Sequence, residues 1–435
     1  MRTKIIAAGG LALGMFVGGA LLMSRDASFG AKYRPVPAVG AREAVPVADI
    51  DATIAAVQDR VRSGMAIASD FATLGSAYLQ KARATAEPSY YSLAARALKR
   101  SLSEQPQDLP SLVGMGELAL GRHDFADARR WARRVLRIDA HNATAHGILG
   151  DAAVELGRYG DALRSYQKMI DLRPSLASFA RVSYARELAG DVPGAITAMK
   201  RAVVAGSTTA DEAWALNQLG DLYFNSGRLR AADRTYRSAL AIAPDFVPPH
   251  AGLGRVEAAR GSIGEAIRRF EAIADRYPLP QYVALLGDFY VASGRSEDAR
   301  RQYELVRAQE ELFDAAGVIP DVEVTLFLAD QGNDPRSALT LARAQYAERP
   351  SVRVADALGW SLFKTGRIAQ ARRFSAESLR LGTQDASYHF HAGMIAKALG
   401  DRPAAHRHLS RALAINPHFS VLDSVRAKRE LGGAR

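Results

Sequence analysis

A glycine followed five residues later by an alanine recurs through most of this chain, at a nearly constant interval. The pairs are Gly157 and Ala162, Gly190 and Ala195, Gly227 and Ala232, Gly261 and Ala266, Gly294 and Ala299, Gly366 and Ala371, and Gly400 and Ala405. Successive glycines lie 33, 37, 34, 33, 72 and 34 residues apart. The longest gap hides a degenerate unit, "GNDPRSALTLARA", with Ala338 where the alanine belongs. Self-similarity at such a period points to stacked supersecondary units. At 435 residues the chain is also longer than a single core usually organises.

Physical chemistry explains the spacing. A helix that runs to the glycine can end there, because glycine takes the left-handed conformation that closes a helix. The next helix must then cross close by, so the contact requires a small side chain such as Ala162. A bulkier residue would force the helices apart at about 1–3 kcal/mol. Four residues on, Tyr166, Tyr236, Phe270, Tyr303 or Leu409 packs one turn further along the same face. Proline at 174, 244, 278, 350 and 417 stops the second helix. Each unit is thus predicted to be a helix–turn–helix.

These residues resemble the tetratricopeptide repeat (TPR) family. The unit "AWALNQLGDLYFNSGRLRAADRTYRSALAIAPDF" carries its pattern in Leu216, Leu219, Gly220, Tyr223, Gly227, Ala232, Tyr236, Ala239 and Pro244. Comparable units begin near 68, 109, 143, 176, 213, 247, 280, 319, 352 and 386. The resemblance implies an all-α, right-handed superhelical solenoid of about ten TPR-like units, with the first helices lining a concave inner surface. It extends over residues 68–419, after a capping helix at 49–67, and leaves a short basic tail at 420–435.

The start of the chain reads differently. Residues 5–23 are uncharged between Arg2, Lys4 and Arg25, and 19 residues of helix rise about 28 Å, enough to cross a hydrocarbon core. Residues 1–23 therefore read as an uncleaved single-pass signal anchor, with a removed signal peptide as the alternative. An export-type start favours a body outside the cytoplasm. Gly10, Gly14 and Gly18 share one helix face, where self-association would occur, although signal segments are rich in small residues anyway. Residues 24–48 carry three prolines and no apolar period, and read as a tether.

If first helices line the groove, its wall can be read off. It should hold Glu117, Asp151, Glu155, Tyr184, Glu187, Trp214, Asn217, Asp221, Phe224, Asp288, Glu323, Phe327, Asp330, Asp356, Trp360 and Phe363, with few cations. The wall is acidic and aromatic although the chain carries a net charge of +11. The bases crowd second helices, as in "ARRWARRVLR". Nucleic acid would require cations and aromatics interleaved on one surface, so a nucleic-acid regulator is the weaker reading. Some family members clamp a partner's terminal carboxylate with lysines and asparagines. Here those inner places hold carboxylates or aromatics, with Asn217 the exception, so the resemblance stops short of that clamp.

The chain has no cysteine, which excludes disulfides, thiolate zinc sites, a cysteine nucleophile and a cysteine-linked lipid anchor. His389 and His391, like His406 and His408, lie two apart and point to different sides of a helix. His146, His250 and His389 hold one packing place in their units. Neither a nucleophile elbow nor a phosphate loop is present. The sequence therefore describes a non-enzymatic scaffold without cofactor or metal, binding a basic and apolar protein segment at or outside a bacterial-type membrane. A cytosol-facing adaptor for an envelope or secretion assembly is the other reading.

Overall fold

A computed structural model describes residues 47–85, 87, 89–315, 321–331 and 334–432. The described residues form 22 helices and no strand. α1 (Val47–Arg62) precedes the pairs α2 (Ala68–Thr85) and α3 (Ser89–Glu104), α4 (Leu109–Gly121) and α5 (Phe125–Ile138), and α6 (Ala143–Glu155) and α7 (Tyr159–Leu172). Next come α8 (Leu176–Leu188) and α9 (Val192–Val204), α10 (Thr209–Asn225) and α11 (Leu229–Ile242), and α12 (Val247–Ala259) and α13 (Ile263–Arg276). The array continues with α14 (Pro280–Ala292) and α15 (Ser296–Ala315), α16 (Val322–Asp330) and α17 (Pro335–Glu348), and α18 (Val352–Lys364) and α19 (Ile368–Ser378). The tenth pair is α20 (Ala386–Ala398) and α21 (Arg402–Ile415), and α22 (Asp423–Gly432) follows. This is an all-α superhelical repeat fold, as the resemblance implies.

The local reasons are visible in each unit. Gly157 has φ of 68°, and Arg158 N donates back to the Ala153 carbonyl at 2.7 Å, which closes α6 and redirects the chain into α7. Ala162, Ala195, Ala232, Ala266 and Ala371 have no exposed surface, so they sit where the helices touch. Helices α7, α11, α13, α17 and α21 each end two residues before their proline. Side chains of Asp108, Asp124, Asn142, Ser175 and Asp191 accept from free amides at helix starts.

Two regions depart from the sequence expectation. In the α4–α5 unit the left-handed position is held by His123, with φ of 60°, which the glycine rhythm does not reveal. Its ring stacks on Phe125 at 5.8 Å, a contact that offsets the strain of a side chain there. Residues expected as a basic tail form α22 instead. Ser424 and Ala427 are three apart on one face and both buried, Ala427 within the cluster of Phe390 and Leu409, and Glu430 pairs with Lys397. The expected anchor at residues 5–23, the Gly10, Gly14 and Gly18 face, and the tether up to residue 46 lie outside the described residues. Among the described residues no helix is long and apolar enough to cross a membrane.

The coil returns onto itself. Val352 N donates to Tyr159 Oη at 2.7 Å, Thr383 Oγ1 to the Leu188 carbonyl at 2.7 Å, and Asn416 Nδ2 to the Phe224 carbonyl at 2.9 Å. These partners are 193, 195 and 192 residues apart, so the coil passes over itself after five to six units. Tyr159, Leu188, Val352 and Leu381 form a small buried cluster along this seam. The turns after α6, α8 and α10 therefore rest on the loops before α18, before α20 and after α21.

Candidate functional site on the inner helices

The helices α4, α6, α8, α10, α14, α16 and α18 carry all 16 inner-wall residues expected from the sequence. None of them is exposed. Asp151, Glu155, Asn217, Phe224, Phe327, Asp356 and Trp360 are buried, and the other nine are half-buried. Most of the acids on these helices are met by a partner on a neighbouring unit.

The pairing forms a ladder. Asp151 accepts from Tyr166 Oη at 2.8 Å, and from Arg181 of the next inner helix at 2.6 Å. Asp221 accepts from Tyr236 Oη at 2.7 Å, from Asn217 Nδ2 at 3.0 Å and from Arg255 at 3.3 Å. Asp288 accepts from Tyr303 Oη at 2.7 Å and Gln331 Nε2 at 3.0 Å. Asp330 accepts from Trp360 Nε1 at 2.9 Å and Lys364 Nζ at 3.0 Å, while Glu117 meets Arg83 at 2.8 Å and Glu323 meets Arg353. His391 Nδ1 lies 2.8 Å from Asp356 Oδ2. The tyrosine spacing of 15 residues is the geometry of the unit, since its ring crosses from second helix to first.

Aromatics on the same wall are occupied too. Phe224 lies beneath the Arg255 guanidinium at 4.0 Å, and Phe327 packs on Tyr303 at 5.7 Å. Trp360 is stacked between His391 at 4.1 Å and Phe363 at 4.8 Å. Trp214 packs against the cluster of α8, α9 and α10. His146 and His250 are fixed by the loops that precede them, through the carbonyls of Ala140 at 3.1 Å and Pro244 at 2.8 Å. His389 instead faces His408, with their Nδ1 atoms 3.1 Å apart.

Two acids on the wall stand apart from the ladder. Burial pushes the Glu155 carboxyl up to about 7, against the opposing pull of Arg349 and Arg353. Its Oε1 has no hydrogen-bond partner. Burial also pushes Glu187 up to about 7, and the carboxylates of Asp385 and Asp221 add to the shift, against a hydrogen bond from the Asn225 side chain. Among the described residues Glu187 has no ion pair; Tyr184 lies one helical turn before it on α8. Asp385, raised chiefly by burial, caps α20 through Ser387 N and Tyr388 N. Sequence reasoning finds Glu155 and Glu187 but misses Arg349 and Asp385, which act on them from the next lap of the coil. Only the buried-charge pattern of the folded coil reveals these neighbours.

Glu155 gives a pH-dependent test. With its folded pKa near 7 against an ordinary 4.5, the folded state binds the extra proton between those values, so stability falls as pH rises through that window. Glu155→Gln is expected to raise the unfolding free energy by about 1–3 kcal/mol at pH 8 and by only a few tenths near pH 4.5. Urea melts at both pH values check this, and an equal effect at both would contradict it.

Models of the tetratricopeptide repeat match this chain in several places. One matches residues 113–177, 149–212 and 251–311, a second matches 215–246, and a third matches 352–377. A curated relative is Cellulose synthase 1 operon protein C of Komagataeibacter xylinus, 25% identical over 230 residues, which cover 48% of this chain and 17% of that protein. The chain thus spans less than a fifth of that relative's length. Among solved structures, a thermophilic TPR protein of Thermus thermophilus is 21% identical, with a TM-score of 0.37, covering 42% of this chain and 94% of its own. Human IFIT1, solved as a dimer with PPP-AAAA, is 14% identical with a TM-score of 0.43, covering 85% of this chain and 95% of its own. Repeat matches under a single description cover about half of the chain, and the protein belongs to the tetratricopeptide repeat family.

Proposed function

We propose that this protein is a non-enzymatic scaffold whose inner helices take a segment of another protein bearing Lys or Arg beside apolar residues. The observation that carries this reading is Glu187. It is a half-buried acid without an ion pair among the described residues, set among the carboxylates of Asp385 and Asp221 rather than cations. A guanidinium or ammonium placed there would relieve like-charge repulsion and gain charge-assisted hydrogen bonds, with Tyr184 one turn away to cover its stem. The ladder acids Asp151, Asp221, Asp288, Asp330 and Asp356 hold the wall in shape and are not the contact points.

The relative's name ties that protein to a cellulose synthase operon, which supports a polysaccharide-synthase assembly as the setting of the partner. With an anchor at residues 5–23, the scaffold would be held at a membrane with its body on the outer side.

The reading is tested by titrating the full chain with fluorescent peptides that alternate Arg with Leu or Phe, against peptides with Gln in place of Arg. Basic peptides are expected to bind, and Glu187→Gln to weaken them by about tenfold or more, the worth of one charge-assisted hydrogen bond. Equal affinity for both peptide sets, or an unchanged affinity in the variant, would remove the proposal.

A further inference from the structure

The seam along which the coil meets itself repeats at the period of the array. A Cβ added to Gly157 would lie 2.6 Å from the Pro350 carbonyl oxygen, one on Gly190 would lie 2.4 Å from that of Gly382, and one on Gly227 would lie 3.1 Å from that of Ile415. Glycine at these turns thus does two jobs: it takes positive φ, and it lets one lap of backbone lie directly on another. Gly294, Gly366 and Gly400 occupy the same turn in their own units with φ near 80°, and a Cβ there meets nothing within 4 Å. The seam is therefore a property of three particular units, not of the repeat.

Closure at the seam rests on the hydrogen bonds of Tyr159, Thr383 and Asn416, the small cluster around Leu188, the Arg380 guanidinium 4.8 Å over the Tyr159 ring, and Val421 against the core of α12 to α15. It also buries an acid that water would otherwise solvate: Glu155 is 1% exposed, and its Oε1 has no partner. Such a group opposes the packed state, since a buried oxygen without a donor loses its hydration. Opening between the laps would return Glu155 to water while every helix pair stays packed, so the laps can separate without unfolding a unit.

We infer that this seam is a releasable latch. The coil opens between the turns at 157, 190 and 227 and the loops at 350, 382 and 416, and the open form admits a partner segment to the inner helices. The second half of this statement rests on the function proposed above; the first half does not.

The chain has no cysteine, so two introduced thiols carry spin labels without background. Lys168→Cys on α7 and Ala376→Cys on α19 place labels on exposed positions of the two laps. Pulsed electron-resonance distances are then compared in four backgrounds: the native seam, Gly190→Ala, Thr383→Val and Gly366→Ala. Gly190→Ala is expected to move most of the distribution to longer distances. Thr383→Val, which deletes one seam hydrogen bond at constant size, should raise the open-to-closed ratio by about tenfold. Gly366→Ala suffers the same backbone strain without the clash and should leave the distances unchanged. If Gly190→Ala and Thr383→Val both match Gly366→Ala with helix content intact, the latch is overturned. Basic peptide should lengthen the distance in the native seam; peptide that binds without doing so overturns the gating while leaving the binding reading intact. A seam that opens in the variants while no peptide binds upholds the latch and removes the binding reading.

Discussion

Gly220→Ala is expected to destabilise this protein by about 2–4 kcal/mol, although alanine is the better helix former. The Tyr236 ring is the reason. It has no exposed surface and lies between two inner helices, with a Cβ on Gly220 falling 2.4 Å from its Cε1 and a Cβ on Gly252 falling 2.4 Å from its Cζ. Its hydroxyl is tied to Asp221 at 2.7 Å, so the ring cannot slide away without breaking that bond. A methyl group on either glycine must displace the ring, the carboxylate or the neighbouring helix. In a Tyr236→Ala background the obstacle is gone, and Gly220→Ala should then stabilise by about 0.5–1 kcal/mol through helix propensity alone. The reversal of sign, read from urea melts of the four proteins in a double-mutant cycle, is the signature; a neutral effect in both backgrounds would contradict it.

Trp360→Ala is expected to lose about 3–5 kcal/mol, the range for removing a fully buried large aromatic. Trp360 is 1% exposed, sandwiched by His391 and Phe363, and its indole donates to Asp330. Truncation leaves a cavity between α16, α18 and α20 and takes one of two donors from Asp330. Trp214→Ala should lose far less, because Trp214 is only half-buried. Thermal melts of the two variants decide the point: equal losses would mean that Trp360 does not hold three units together.

These two positions show what the sequence could and could not convey. The glycine–alanine–proline rhythm specifies a helix pair every 34 residues or so, because each of those residues answers a steric demand inside one unit or between adjacent units. Tyr236 and Gly220 are legible for that reason. The inner positions of Glu155, Glu187 and Trp360 are legible as well, from helical periodicity. Their environments are not. The pairing of Asp221 with Arg255, 34 residues on, depends on how successive units rotate, and the contact of Tyr159 with Val352 on the sum of many such rotations. No local preference encodes that sum. His123 was hidden for a simpler reason: a histidine in the left-handed turn breaks the glycine signal while keeping the backbone course.

The 193-residue reach of the seam also bears on how the chain behaves when cut. In an open repeat array each unit feels only its neighbours, so end units can be trimmed with local loss alone. Here the carbonyls of Leu188 and Phe224 find donors in Thr383 and Asn416, near the far end of the array. The middle of the chain and its last units are thereby coupled while the seam is closed, so trimming the last units is expected to strip donors from carbonyls in the middle of the array as well.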